Sequence, residues 1–273
     1  MGALFGVSLA LASAAIVAAS TAKAATPTVE GSFPLLELRQ YTLHEGQRDA
    51  LIRLFEREFV KPQEAQGMKV IGTFTDLDRP DRFVWLRGFK DMDSRLAGLT
   101  AFYGGPAWKA HRDEANATMI DSDNVLLLRA PVWAAEFAPP ASRPAQGEQA
   151  PSGLVVATIY YLKTAPADAL AVFEKQMKPA LENAGIHPLA WFVPASAPNN
   201  FPRLPVREGE KVLVWFTAFH DAPDHAAHKA ALDQAAAPLA PMLVRDPEVL
   251  RLEPTPRSLI RGTTESSAAG GSH

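Results

Sequence analysis

The sequence predicts an α+β fold built from two tandem ferredoxin-like units, each with the element order β-α-β-β-α-β. Strand-like and helix-like periodicities follow one another in that order through the first half of the 273 residues. Aromatic residues of the first half recur in the second half at nearly constant spacing, and a Pro- and Ala-rich stretch separates the two halves.

The first unit opens with a strand, because residues 35–43 (LLELRQYTL) alternate leucines with polar or aromatic residues. Apolar residues at helical spacing then predict a helix over 48–66, which ends at Gly67. Residues 68–76 and 81–89 predict two further strands, joined by a turn that contains aspartates and a proline.

A second helical region and a last strand close the unit. The helical region covers about 93–119 and is interrupted by Gly-Gly-Pro at 104–106, since proline favours the first turn of a new helix. Residues 124–132 (NVLLLRAPV) predict a short apolar strand.

The second half repeats this pattern. Tyr160 lies 119 positions after Tyr41, whereas Trp215 lies 130 positions after Trp85. The difference places eleven additional residues in the Pro-rich hairpin loop 194–210. Two such units can bury their open sheet faces against each other, which predicts a dimeric α/β-barrel-type arrangement. The protein is then either a monomeric pseudo-dimer or a homodimer.

The remaining segments are assigned from composition. Residues 1–25 resemble a secretory signal peptide, because an apolar stretch of small residues ends in Ala-x-Ala. The two units are expected at 33–131 and 154–254, with a linker at 132–153 and a disordered tail at 255–273. A signal peptide predicts a periplasmic or secreted protein without a membrane span after cleavage. A cytoplasmic or membrane-anchored protein is the alternative.

Composition excludes several function classes. The formal net charge is −3 and the basic residues are scattered, so nucleic acid is not an expected partner. The sequence contains no cysteine, which removes thiol catalysis, disulfides and Cys-ligated zinc. It also lacks a phosphate-binding loop, a dinucleotide fingerprint, a nucleophile elbow and a zinc-protease motif.

The alternation of the first strand predicts the lining of a pocket between the two sheets. Leu36 and Leu38 are expected to face the helices, which leaves the other side of the strand facing the barrel interior. The expected ligand is a small hydrophobic or carbonyl-bearing molecule. The predicted lining comes from two strands of each half: Glu37, Arg39, Tyr41, Trp85, Arg87, Thr158, Tyr160, Trp215 and Thr217.

The charged side chains of this pocket are expected on the first-half strands. The second-half strands carry hydroxyl groups at the corresponding positions. A buried arginine needs a carboxylate partner, and Glu37 can pair with Arg39 or Arg87. Alternatively, one of these arginines is left to bind a small anion or a carbonyl oxygen.

A weaker candidate group lies on the resumed second helix and consists of Trp108, His111 and Arg112. His111 could act as a general base or as an axial heme ligand, although a lone histidine among charged residues is more often a solvated side chain. His225 and His228 have a metal-like spacing without a third ligand nearby, so no metal site is predicted. No cofactor is expected, and heme is the one alternative.

Three segments resemble the NIPSNAP family: LLELRQYTLHEGQRDALIRLFE, RFVWLRGFKDMDSRLAGLTAFYGGPAWKAHRDEAN and SDNVLLLRAP. The family pattern has an E-L-R-x-Y first strand, an aromatic-rich third strand and a tryptophan in the second helix. The second half is only loosely similar, since E-L-R-x-Y has become VATIY. The resemblance implies a dimeric α/β-barrel fold and no catalytic set. Animal members of the family are associated with mitochondria and protein partners.

Two function classes remain open. The first is a NIPSNAP-like protein of uncertain biochemical role that binds a small ligand between its two sheets. The second is a cofactor-independent monooxygenase, or a heme-dependent oxygenase or lyase, and it rests on fold analogy alone. A protein-interaction scaffold is a third possibility that requires an exposed apolar patch.

Overall fold

The computed structural model describes residues 32–131, 143–148 and 152–263, which all belong to one structural unit. The expected signal peptide at 1–25 lies outside the described residues, as do most of the expected linker and residues 264–273.

The first half contains β1 (Leu35–Leu43) and a helical stretch formed by α1 (Arg48–Leu54), a π-helical turn (Phe55–Phe59) and α2 (Val60–Glu64). It continues with β2 (Lys69–Asp76), β3 (Arg82–Phe89), α3 (Met92–Gly104), α4 (Pro106–Asn116), β4 (Met119–Asp121) and β5 (Val125–Arg129). The predicted strands, the first helical stretch and the break at Gly105 are confirmed. The short strand β4 is an addition that the sequence pattern does not predict.

The second half follows the same order. It contains β6 (Leu154–Tyr161), α5 (Pro166–Val172), a second π-helical turn (Phe173–Met177), α6 (Lys178–Asn183), β7 (Pro188–Pro194) and β8 (Val212–Phe219). It ends with α7 (Ala222–Ala227), α8 (Lys229–Ala236), a 3-10 helix (Ala237–Met242) and β9 (Glu248–Pro254).

Local sequence sets the helix ends. Asp91 accepts a hydrogen bond from the backbone N–H of Ser94 and thereby caps α3, and Asp221 caps α7 in the same way. Gly67 has a φ of 78°, a left-handed conformation that glycine adopts without strain, and the first helical stretch ends there.

Eight of the described strands form a closed antiparallel barrel. The order around it is β3-β2-β9-β6-β8-β7-β5-β1, and β1 pairs again with β3. The two halves meet where β5 pairs with β7 and where β2 pairs with β9. The architecture is therefore a mixed α/β fold, with helices around one barrel to which each half contributes four strands.

The inside of the barrel is filled by apolar side chains from both halves. Leu36 and Leu38 of β1 belong to this cluster and are fully buried. Because no helix residue takes part in it, the cluster lies inside the ring of strands. Its other large members include Phe74, Val84, Leu86, Leu126, Leu128, Ile159, Phe192, Val214, Phe216, Leu250 and Leu252.

The predicted orientation of β1 is therefore wrong. Leu36 and Leu38 face the barrel interior, and Glu37, Arg39 and Tyr41 face the helices. Both faces of this strand are buried, so alternation separates the two faces without showing which one lies inside. A closed barrel excludes water from its centre, where charged side chains would be costly. The pocket expected between the two sheets is replaced by a packed core.

Each half covers the outside of its strands with its own helices. In the first half, Phe55 packs edge-on against Trp85 with ring centroids 4.7 Å apart. In the second half, Phe173 packs against Trp215 at 5.9 Å. No helix within the described ranges combines the length and the apolar composition needed to cross a bilayer.

The expected disordered tail is a wrong prediction for residues 255–263. Thr255 donates its backbone N–H to the carbonyl of Thr73, and the backbone N–H of Ile260 contacts the carbonyl of Ile71. Ser258 is fully buried and Ile260 nearly so. This segment is held against β2 because it supplies both hydrogen-bonding groups and apolar side chains.

Candidate functional site

One carboxylate and three arginines form a buried cluster between the first-half sheet and its helices. Glu37 on β1 accepts hydrogen bonds at Oε2 from Arg39 Nη1 at 2.9 Å and from Arg87 Nη2 at 2.6 Å. At Oε1 it accepts from Arg95 Nε of α3 at 2.8 Å. All four side chains have 0% exposure, so one negative charge faces three positive charges away from bulk solvent.

The electrostatics of the cluster favour its charged form. Burial alone would raise the pKa of Glu37, but the three guanidinium groups outweigh burial and hold that pKa below its ordinary value. Burial lowers the pKa of Arg39, whereas Tyr41 and Glu37 raise it, and the pKa is raised on balance. Glu37 is therefore ionised at neutral pH, and the cluster keeps an excess of two positive charges.

Aromatic rings surround the guanidinium groups. The Arg39 guanidinium lies 5.4 Å from the centre of the Tyr41 ring and 5.6 Å from that of Trp85, and the Arg87 guanidinium lies 5.0 Å from the Trp85 ring. These distances are in the range of cation–π attraction. The excess positive charge is thus partly stabilised by ring faces.

Hydrogen-bonding capacity remains unused in the cluster. Arg39 Nε donates to the Tyr41 hydroxyl oxygen at 2.9 Å, which leaves the hydroxyl proton of Tyr41 free for another acceptor. Burial raises the pKa of Tyr41, so that proton stays on the oxygen. Among the described residues, neither Arg39 Nη2 nor Trp85 Nε1 has a hydrogen-bond partner. Buried donors without partners are uncommon, and a water or a ligand acceptor beside them would satisfy them.

A cavity lined by Tyr41 and Trp85 opens to solvent. An inner chamber of about 30 Å³ is lined by Tyr41, Gln63 and Trp85 together with the aromatic residues of the helices. It continues into an outer cleft of about 250 Å³, which shares Tyr41, Tyr103, Trp108 and Met119 with the chamber. The inner chamber has room for a small polar group and the outer cleft for a flat ring system.

The predicted lining residues separate into two groups. The structure brings Glu37, Arg39, Tyr41, Trp85 and Arg87 together on the helix-facing side of the first-half sheet. Their second-half counterparts line the outside of the other part of the barrel: Thr158, Tyr160, Trp215 and Thr217. The Tyr160 hydroxyl there contacts Met177 Sδ, and burial raises the pKa of Tyr160 to about 12.

Of the weaker candidates, only Trp108 lines the cleft. It packs against Phe59 and Tyr103 with ring centroids 5.5 and 4.9 Å apart. His111 points to a neighbouring helix instead, where its Nε2 lies 3.4 Å from a Glu58 carboxylate oxygen. Arg112 is exposed at the surface.

His225 and His228, which have a metal-like spacing, contact other groups of the second half. His228 Nδ1 lies 2.8 Å from the carbonyl oxygen of Asp224, and both His225 and His228 pack on Phe219. Within the described part of the chain there is no group of three or more potential metal-ligating side chains.

Four residues that belong to the arginine cluster or hydrogen-bond to it were not predicted from the sequence. The first is Arg95, which shares one buried face of α3 with Leu99 and Phe102. A basic residue at an apolar helical position could have indicated it from the sequence. Gln63 accepts a hydrogen bond from Arg87 Nη1 at 2.8 Å and lies one helical turn after Phe59. The other two, Asn199 and Asn200, come from the second half and had no local signal.

Comparison with protein-family models gives a match in the first half. The NIPSNAP family model matches residues 36–135. A NIPSNAP domain protein from Burkholderia xenovorans is 20% identical, over 37% of this chain and 95% of that one, with a TM-score of 0.33. No curated protein sequence matches the chain.

Other solved structures match most of the chain. A protein from Fusobacterium nucleatum, provisionally named a monooxygenase, has a TM-score of 0.55 and 10% identity, over 85% of this chain and 97% of its own. A similarly named protein from Lactobacillus acidophilus has a TM-score of 0.52 and 13% identity, over 84% of this chain and 99% of its own. At these identities the similarity concerns the fold alone.

Proposed function

Because residues 36–135 form a NIPSNAP domain, we propose that this domain binds a small aromatic ligand that carries a carboxylate or a comparably polarised carbonyl group. The observation that carries the proposal is a pair of available buried donors, the unpartnered Trp85 Nε1 and the free hydroxyl proton of Tyr41, on residues that line a chamber opening into an aromatic cleft. The ligand lies between sheet and helices, since the barrel interior is filled.

Charge balance favours an anionic group over a neutral one. The excess of two positive charges in a fully buried cluster is costly, and an anion would offset part of that cost. The Tyr41 hydroxyl can donate to the same oxygen, and Trp85 Nε1 supplies a further donor. A carboxylate accepts several such bonds at once.

The walls of the cleft favour a flat ring. Tyr103, Trp108 and Phe201 line it, and a ring between them would make stacked or edge-on contacts. An aliphatic chain would bury apolar area there but would gain none of these oriented contacts.

Removal of the chamber donors should weaken binding of an aromatic carboxylate. With 2-naphthoate as the probe, we expect Tyr41→Phe and Trp85→Phe each to raise the dissociation constant about tenfold, the effect of losing one hydrogen bond to a charged group. Naphthalene-2-carboxamide, a neutral probe of the same shape, should bind the wild type more weakly than 2-naphthoate. Isothermal titration calorimetry of the full chain measures all of these constants.

The second half supplies matched controls. Tyr160→Phe and Trp215→Phe are the same substitutions at the corresponding strand positions, packed against the second-half helices and away from the cleft. They should leave the dissociation constant unchanged within about twofold. The proposal would be contradicted if the second-half controls weakened binding as much as the first-half variants do, or if the wild type did not bind 2-naphthoate.

A cofactor-independent monooxygenase on this site is the second candidate, and it is favoured by the fold shared with the two provisionally named monooxygenases. Such an enzyme must remove a proton from its substrate. The lining residues of the chamber and cleft include no histidine, and the raised pKa of Tyr41 opposes its action as a base. Oxygen uptake by the full chain with anthrone, whose oxidation to anthraquinone and water consumes one O₂, tests this alternative.

A heme-dependent oxygenase or lyase has less support. His111, the candidate axial ligand, lies beside Glu58, and the lining of the cleft includes no histidine that could serve as an axial ligand. The ligand-binding function proposed above needs no cofactor.

We also propose a finer organisation of the chain into two repeats. The matching element order and the corresponding pairings β1–β3 and β6–β8 support two ferredoxin-like repeats that form a monomeric pseudo-dimer. A periplasmic or secreted location rests on the sequence of residues 1–25 alone. Nucleic acid is not an expected partner for this function.

A further inference from the structure

We infer that the β7–β8 loop of the second half, residues 195–211, determines which ligands the first-half cleft accepts. This inference rests on the proposed binding function. The corresponding β2–β3 connection of the first half covers only residues 77–81. The second half therefore has a much longer loop at this position.

The loop is fixed to the arginine cluster. Arg95 Nη1 donates to Asn200 Oδ1 at 2.7 Å and to Asn199 Oδ1 at 3.0 Å. Asn200 Nδ2 donates to the carbonyl oxygen of Met92 at 2.6 Å, at the start of α3. The second half thus contacts the same guanidinium group that pairs with Glu37.

Internal hydrogen bonds give the loop a defined shape. The backbone N–H of Asn199 donates to Glu208 at 2.7 Å, and Asn199 Nδ2 donates to the carbonyl oxygen of Leu204 at 3.0 Å. The backbone N–H of Arg207 donates to the carbonyl oxygen of Val125 on β5 at 2.8 Å. The side chains that the loop presents to the cleft are therefore held in place before a ligand arrives.

Phe201 is the loop residue with the most direct contact to the cleft. Its ring stacks on that of Tyr103, with centroids 5.9 Å apart and an interplanar angle of 25°. The loop residues Phe201, Arg203, Leu204 and Pro205 belong to the lining of the outer cleft, together with Trp108 and Met119. A flat ligand that enters the cleft lies next to Phe201, so this residue selects aromatic over aliphatic ligands of similar apolar area.

Selectivity between two carboxylate probes tests the inference. The full chain is titrated with 2-naphthoate and with octanoate, which share the carboxylate and differ in the apolar part. We expect Phe201→Leu to raise the dissociation constant for 2-naphthoate about fivefold and that for octanoate less than about twofold, since leucine keeps the bulk but loses the ring. Phe201→Tyr, which keeps the ring, should retain the wild-type preference.

A control and a second variant separate the loop's effect from general damage. Trp191→Leu removes a second-half aromatic residue that packs on Phe173, away from the cleft, and should leave both constants unchanged. Asn200→Ala loosens the attachment to Arg95 and should reduce the preference for 2-naphthoate in the same direction as Phe201→Leu.

The outcomes distinguish the two proposals. Equal weakening of both probes by Phe201→Leu, or no change with either, would overturn the selectivity role while binding by the wild type still supports the proposed function. If the wild type binds neither probe, the proposed function fails and the selectivity role fails with it.

Discussion

Glu37→Gln is expected to lower the free energy of unfolding by about 3–5 kcal/mol at neutral pH, the cost of leaving buried charges without their partner. The substitution keeps the size of the side chain and removes the one carboxylate that contacts Arg39, Arg87 and Arg95. Urea unfolding followed by tryptophan fluorescence measures the effect.

The pH dependence of this difference has a defined sign. The folded protein holds the pKa of Glu37 below its ordinary value, so the ionised carboxylate stabilises the fold at pH values above the unfolded pKa of about 4.3. That stabilisation is lost as the pH falls through the folded pKa. The difference between wild type and Glu37→Gln should therefore be constant above about pH 5 and become smaller below about pH 4.

An exposed ion pair provides the control for Glu37→Gln. Glu182 pairs with Lys178 at 2.5 Å on the surface of α6. Glu182→Gln should change the free energy of unfolding by less than about 0.5 kcal/mol, as is usual for exposed helical pairs. If Glu37→Gln also changed the free energy of unfolding by less than about 0.5 kcal/mol, the stability of the buried cluster would not depend on its carboxylate.

The periodicity of the chain predicts the strands, the first helical stretch and the break at Gly105, because each depends on neighbouring residues. It also predicts a barrel with strands from both halves. It assigns the two faces of β1 wrongly. Both faces of that strand are buried, so alternation does not show which face points into the barrel. The direction follows from the charges, since a charged side chain inside the closed barrel would be costly, whereas Glu37 finds Arg95 of α3 on the helix side.

The site is partly predictable for a related reason. Glu37, Arg39 and Arg87 lie on two paired strands, so alternation places them on one face. Asn199 and Asn200 meet Arg95 across more than a hundred residues of sequence, and no periodicity relates these positions. The loop that brings them there is visible in the sequence only as an insertion.

Phe216→Ala is expected to destabilise both halves together by about 3–5 kcal/mol, the usual cost of removing a buried phenylalanine ring. Phe216 on β8 is fully buried inside the barrel and packs edge-on against Phe192 at 5.9 Å. The barrel core contains side chains of both halves, so a cavity at Phe216 weakens packing against first-half strands as well.

Hydrogen exchange measured by mass spectrometry shows where this destabilisation acts. Peptides from β1 and β3 should lose protection along with those from β8, because strands that share one core open together. Val249→Ala is the control, since Val249 lies on a barrel strand but is 44% exposed, and it should change stability by less than about 0.5 kcal/mol. Faster exchange confined to the second half would mean that the halves unfold separately, and the arginine cluster would then not depend on the shared barrel for its position.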